Sequence, residues 1–197
     1  MTLTKRSRKN LYTLIIMLVF IGLSAVFNKF NLQSSILTQK TFKNNPVVTG
    51  TYRVTKIDDG DTIVVDMDGK NETVRMIGVD TPEVKDPRKP IQCFGETASN
   101  FTKTLIGTNT VRLEADPQNT NRDRYNRLLR YVYLPNNLLV NAEIIKQGYG
   151  FAYTGFPFNK KQQFIQLQEN AKSNNLGLWN KCQPIINQYG GYSSNPE

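Results

Sequence analysis

Apolar and polar positions change their rhythm several times along this chain. Leu11–Phe27 is an uncharged, mostly apolar run of 17 residues, and residues 28–46 are rich in Asn, Gln, Ser, Thr and Lys without any amphipathic period. From Val47 the pattern becomes that of short strands. Gly50–Ile57 and Thr62–Asp66 are β-rich runs, Asp68-Gly69 is a hairpin turn signal, and Glu72–Val79 follows. A helical period then takes over at Glu96–Ile106, with Ala98, Phe101 and Leu105 on one face. Thr110–Ala115 and Leu128–Leu134 read as two further strands. Helices are predicted at Val140–Gln147, stopped by Gly148, and at Lys160–Lys172, where Phe164, Leu167 and Ala171 share a face.

Five strands with a helix between the third and the fourth is the order of an OB-type barrel. The expectation is therefore an α+β fold: a five-stranded OB-type β-barrel with two C-terminal helices packed on it, preceded by an N-terminal hydrophobic helix. The domain is assigned to residues 47–182, with a linker at 28–46 and a C-terminal tail at 183–197.

The N-terminus adds a location. Lys5, Arg6, Arg8 and Lys9 precede the apolar run, and such a cluster stays on the cytoplasmic side while the rest of the chain crosses. Residues 1–27 thus read as a signal anchor or a signal peptide. Gly22-Leu23-Ser24-Ala25 offers small residues for cleavage, but Val26-Phe27 follows them and makes a poor site. The domain is expected to be extracytoplasmic, held by the membrane helix or secreted after cleavage, and monomeric.

Charge narrows the chemistry. The formal net charge is +9, but seven of the 25 cations lie in residues 1–46, where there is no acid. The rest of the chain holds 18 cations against 16 acids. The body is near neutral, so an anion site must come from a few placed charges. There is no histidine and there are two cysteines. That excludes Ser-His-Asp and Cys-His nucleophiles, His-ligated zinc and four-cysteine zinc. Export favours oxidation, and Cys93 and Cys182 lack metal-ligand spacing. A Cys93–Cys182 disulfide is expected, serving stability and not chemistry.

Acidic residues cluster at two strand ends. One group is Asp58-Asp59-Gly60-Asp61-Thr62 and the other Asp80-Thr81-Pro82-Glu83. The Asp68-Gly69 hairpin makes the two strands antiparallel neighbours, so Asp61 and Asp80 can converge on one point. Either group alone also serves as an ordinary turn. Together at one barrel rim they suit a hard cation such as Ca²⁺ or Mg²⁺. Arg75, five residues before Asp80, falls on the opposite face of a flat strand. The two share a site only if the strand bends or ends near Gly78. Asn121–Arg127 is a second cation group, which as a charge run is a solvated loop. Asp66-Met67-Asp68-Gly69 departs from a calcium-loop spacing because its Gly comes too early.

These residues together resemble the staphylococcal nuclease (thermonuclease) family over Val54–Trp179. The stretches that carry the resemblance are Ile57–Thr62, Arg75–Glu83, Asp123-Arg124-Tyr125-Asn126-Arg127 and Gly177-Leu178-Trp179. It implies a Ca²⁺-dependent hydrolase of DNA and RNA that breaks P–O5′ bonds and leaves 3′-phosphate ends. Asp61 and Asp80 resemble the Ca²⁺ carboxylates, and Thr81 the ligand that uses its backbone carbonyl. Glu83 resembles the residue that orients or deprotonates the attacking water. Arg75 and Arg127 resemble the pair gripping the scissile phosphate, and Tyr125 and Tyr153 the nucleotide-binding tyrosines. Tyr153-Thr154-Gly155-Phe156 departs from the family's paired tyrosines. Asn126 stands where Gly is common and is expected to adopt a left-handed backbone. Two rivals are a catalytically inactive nucleic-acid-binding OB-fold module and a Ca²⁺-binding surface domain. The first is expected to lack one of Asp61, Asp80, Glu83, Arg75 and Arg127, and the second has no use for the arginines.

Overall fold

The computed structural model describes residues 50–84, 91–187 and 191–196. The hydrophobic helix and linker expected over residues 1–46 lie outside them. Among the described residues no helix is long and apolar enough to cross a membrane.

Three antiparallel strands open the domain: β1 (Gly50–Asp59), β2 (Thr62–Met67) and β3 (Lys70–Met76). Asp68 and Gly69 between β2 and β3 both have positive φ, 56° and 83°, as a tight hairpin of matching twist requires. β3 alternates as a half-buried strand should, with Glu72, Val74 and Met76 inward and Arg75 outward. It ends at Met76, where the sequence pattern runs on to Val79. After a corner at Ile77-Gly78, β4 (Val79–Asp80) pairs elsewhere, with β7 (Phe151–Ala152).

Helix α1 (Gly95–Ile106) leads to β5 (Thr110–Glu114), and β6 (Leu128–Tyr133) completes the barrel. The closed order is β1-β2-β3-β6-β5. β6 lies parallel to β3, with Val74, Arg75 and Met76 facing Leu128, Leu129 and Arg130. Inside are Ile63, Val65, Val74, Met76, Val111, Leu113, Leu128 and Val132, all buried. The expected five-stranded α+β barrel is the observed one, with its helix between the third and fourth barrel strands.

Helices α2 (Val140–Lys146) and α3 (Lys161–Ser173) pack on the outside, with Ile144, Ile145, Phe164 and Ala171 buried. On α1 the buried face is Ala98, Thr102 and Ile106, while Phe101 and Leu105 are half-buried. Phe101 stacks on Tyr149 at 3.9 Å between ring centres. Thr102 Oγ1 donates to Gly60 O at 2.6 Å, which ties α1 to the turn between β1 and β2.

The C-terminal segment is not a loose tail. After the short helix α4 (Leu178–Lys181), β8 (Ile185–Ile186) and β9 (Tyr192–Ser193) form an antiparallel pair. Tyr192 packs with Phe151 and Trp179, whose rings lie 6.2 and 5.0 Å away. Cys93 and Cys182 are joined in a disulfide.

Candidate active site

The rim of the barrel where β1 turns into β2 and β3 turns into β4 carries the acids. Arg75 faces Thr62 across the β2–β3 ladder, and Met76 N donates to Asp61 O at 2.9 Å. Arg75 therefore starts beside Asp61. The Gly78 corner, at φ +73°, swings the chain back so that Asp80 returns to the same place. Arg75 Nη1 lies 2.7 Å from Asp61 Oδ2, and Nη2 lies 3.0 Å from Asp80 Oδ1. Nη1 also donates to Val79 O at 2.8 Å. The strand does bend near Gly78, and the parity objection to Arg75 and Asp80 sharing a site is removed.

Asp61 is 5% exposed. Its Oδ1 accepts from Thr62 Oγ1 at 2.9 Å, and its Oδ2 from Thr81 N and Oγ1 at 2.8 and 3.1 Å. Thr81 is thereby fixed by both its main chain and its side chain. Asp59 lies alongside, with Oδ1 accepting from Gly60 N at 2.8 Å. Burial, then the charges of Asp61 and Glu83, push the Asp59 carboxyl up to about 7, against one opposing hydrogen bond from Gly60. Glu83 lies close enough to Asp59 to add to that rise. For Arg75 burial disfavours the charge, but Asp61, Asp80 and Asp59 outweigh it and hold its pKa above the ordinary value. Asp61, Asp80, Thr81, Arg75 and Glu83 thus meet at one rim, and Asp59, which the sequence places only in the acidic run, belongs with them.

Tyr125 and Arg127 sit on the loop before β6. Arg127 is two residues before Leu129, the partner of Arg75 in the parallel ladder, so it enters β6 alongside the strand that carries Arg75. Arg127 is held by Asp123, a contact the sequence did not announce. Arg127 Nε and Nη2 both reach Asp123 Oδ2 at 2.7 Å. Asp123 Oδ1 accepts the N–H groups of Tyr125 and Arg127, each at 2.9 Å. Burial raises the Asp123 pKa, but the Arg127 hydrogen bonds and charge prevail and hold it below the ordinary carboxylate range. Asn126 completes this turn with φ +65°. Tyr125 is 59% exposed, with the Arg124 and Arg127 guanidiniums 4.7 and 5.3 Å from its ring centre.

Tyr153 follows β7. Its N–H donates to Gly78 O at 2.9 Å, and its ring lies 5.9 Å from that of Phe156. Both rings are exposed. A cleft beside Asp80 is lined by Phe151, Tyr153, Gly155 and Tyr192. Its last wall, from the C-terminal pair of strands, had no signal in the sequence.

Residues 73–181 match the family described as staphylococcal nuclease homologue. The match spans Arg75, Asp80, Thr81, Glu83 and Arg127, while Asp61 precedes it. The chain is 44% identical over 130 residues to a thermonuclease of Staphylococcus hyicus, covering 66% of this chain and 75% of that one. It is 41% identical over 132 residues to the thermonuclease of Staphylococcus intermedius, covering 66% and 76%. It is 40% identical over 132 residues to endonuclease YncB of Bacillus subtilis, covering 66% and 62%. A match over more than half of the chain and relatives at this identity establish descent: the chain belongs to the staphylococcal nuclease family.

Proposed function

We propose that this member of a nuclease family hydrolyses phosphodiester bonds of DNA and RNA with one Ca²⁺ ion, breaking P–O5′ bonds and leaving 3′-phosphate ends. The observation that carries the reading is Arg75 held between Asp61 and Asp80 at 2.7 and 3.0 Å, on a rim with Glu83 and no histidine. Among the described residues no three carboxylates close into a complete metal cage. The donor set nevertheless fits a hard cation with few protein ligands. Burial first, and then the neighbouring acids Asp61 and Glu83, push Asp59 up to about 7, and the acids are all oxygen donors. Asp61, Asp80 and the Thr81 carbonyl are the residues that would hold it. A bound dication there would stabilise negative charge on the phosphate oxygens.

The chain's own groups do the rest. Arg75 and Arg127 offer planar forks that match phosphate oxygens bidentately. Asp123 takes Nε and Nη2 of Arg127, which fixes the side chain's direction. Glu83 orients or deprotonates the attacking water. Tyr125 and Tyr153 supply faces on which any base can stack. Residues 1–27 direct the domain outward. A membrane-held chain should resist a high-salt wash, and recovery only as a shortened soluble protein would replace the anchor by a cleaved signal.

The test is cleavage of DNA and of RNA by the full-length chain, with Ca²⁺ and with excess chelator, followed by analysis of the product ends. Loss of cleavage in chelator, its return with Ca²⁺, and 3′-phosphate ends are expected. Full activity in chelator would overturn the metal reading, and 5′-phosphate ends the bond assignment.

A further inference from the structure

Glu83 is fastened through its main chain as well as placed by the rim. Its N–H donates to Gln92 Oε1 at 2.8 Å, and its carbonyl accepts from Gln92 N at 3.0 Å. One residue therefore holds both peptide groups that flank the Glu83 side chain. Gln92 is in turn held from behind by the C-terminal segment. Gln92 bridges Pro196, Cys93 N donates to Asn195 O at 2.7 Å, and Ser194 Oγ donates to Cys93 O at 2.7 Å. Asn195 Nδ2 donates to Gln183 O at 2.8 Å, next to Cys182, and Cys182 is bonded to Cys93. The returning chain and the disulfide meet on the residue adjacent to the one that grips Glu83.

We propose that Gln92 is a positioning residue for the hydrolysis, and that the Cys93–Cys182 disulfide and residues 194–196 act on turnover through it. This rests on the water-orienting role given to Glu83 above. Both Glu83 and Gln92 are only half-buried, so water can replace the lost hydrogen bond when the Gln92 amide is removed. Folding then changes little. What is lost is the fixed direction of the Glu83 carboxylate, and a displacement of about 1 Å in such a group costs on the order of 10²-fold in rate. The disulfide thus has a part in the chemistry, beyond the purely stabilising role that its sequence context suggests.

Full-length Gln92→Ala, Gln92→Glu and the double variant Cys93→Ser/Cys182→Ser are assayed on DNA in saturating Ca²⁺. The temperature is one at which circular dichroism shows each of them folded. Gln92→Ala should lower kcat by about 10- to 100-fold with KM within about twofold and little change in Tm. Gln92→Glu, which keeps an acceptor in place, should recover most of the loss, and the cysteine variant should lose kcat while folded. On a Glu83→Gln background, Gln92→Ala should cost nothing further, since the group it positions is gone. A wild-type kcat for Gln92→Ala beside a crippled Glu83→Gln overturns the positioning role and leaves the role of Glu83 standing. A wild-type kcat for Glu83→Gln overturns both. A loss for Gln92→Ala that repeats undiminished on the Glu83→Gln background shows an effect that does not run through Glu83, and also overturns the proposal.

Discussion

Gly78 is the hinge on which the rim depends, and replacing it by alanine tests that dependence. Its φ is +73°, a backbone state that costs an L side chain about 1–2 kcal/mol. A Cβ there would lie 2.7 Å from Phe158 Cε2 and Cζ and 2.9 Å from Phe164 Cδ2. Both rings are buried, at 4% and 0% exposure, so neither can swing into solvent to make room. Overpacking of this kind costs about 1–3 kcal/mol. Gly78→Ala is therefore expected to destabilise by about 2–5 kcal/mol, a large part of the roughly 5–15 kcal/mol that holds a domain together. For a domain of this size that is a fall in Tm of about 5–15 °C. Activity should fall further than the folded fraction does, because the same corner sets Val79 O and Asp80 against Arg75. Gly69→Ala is the control. Gly69 has φ +83°, and a methyl group there would meet nothing within 4 Å. It carries backbone strain alone, about 1–2 kcal/mol, and its alanine variant should cleave at the wild-type rate. Thermal unfolding by circular dichroism and cleavage of DNA below the onset of unfolding measure both effects. Equal Tm values for the two variants, or a Gly78→Ala rate that tracks folded fraction only, would refute the reasoning.

Arg127→Lys keeps the charge but loses the fork that Asp123 holds at one side; the rate should fall by about 10²–10³, and a near-normal rate would remove Arg127 from the catalytic set. Glu72 is held below its ordinary pKa of 4.5 by hydrogen bonds from Arg122 and then Lys70. Its folded value lies under its unfolded one, so the stability it adds is present above pH 4.5 and drains away as the pH falls through the folded value. Glu72→Gln should therefore lower Tm at about pH 7 and converge with wild type in acid. A Tm difference unchanged from about pH 7 to about pH 3 would remove the Glu72–Arg122 latch as its cause.

What could be read from the sequence is what neighbouring residues decide. The Asp68-Gly69 turn pairs β2 with β3, and that pairing alone carries Asp61 to Arg75. The alternation in β3 is plain from Glu72 to Met76. Its end is less plain, because Ile77 and Val79 are as apolar as the strand: Ile77 N still donates to Arg130 O at 3.0 Å, and the chain leaves the ladder only at the Gly78 corner, φ +73°. Arg130 shows the same limit from inside. A charge in Leu128–Tyr133 is expected to face water, yet the parallel register sets Arg130 against Met76, and its side chain is wholly buried. Its Nη2 finds Asn121 Oδ1 at 2.6 Å and its Nη1 finds Leu129 O at 2.7 Å, while Nε has no partner among the described residues.

The two grips on the acidic rim differ in the same way. Arg75 is caught by acids one hairpin and one corner away: the Asp68-Gly69 turn is enough to find Asp61, while strand parity speaks against Asp80 until the Gly78 corner brings it back. Glu83 is gripped by Gln92, an uncharged residue with no motif around it, and Gln92 is braced by its bridge to Pro196 and through its neighbour Cys93, whose carbonyl accepts from Ser194, 101 residues further along. Glutamine, serine and asparagine main-chain contacts leave no period and no charge pattern. Only the two cysteines marked that such a return existed, and an oxidising compartment predicts that they meet without saying what stands beside them.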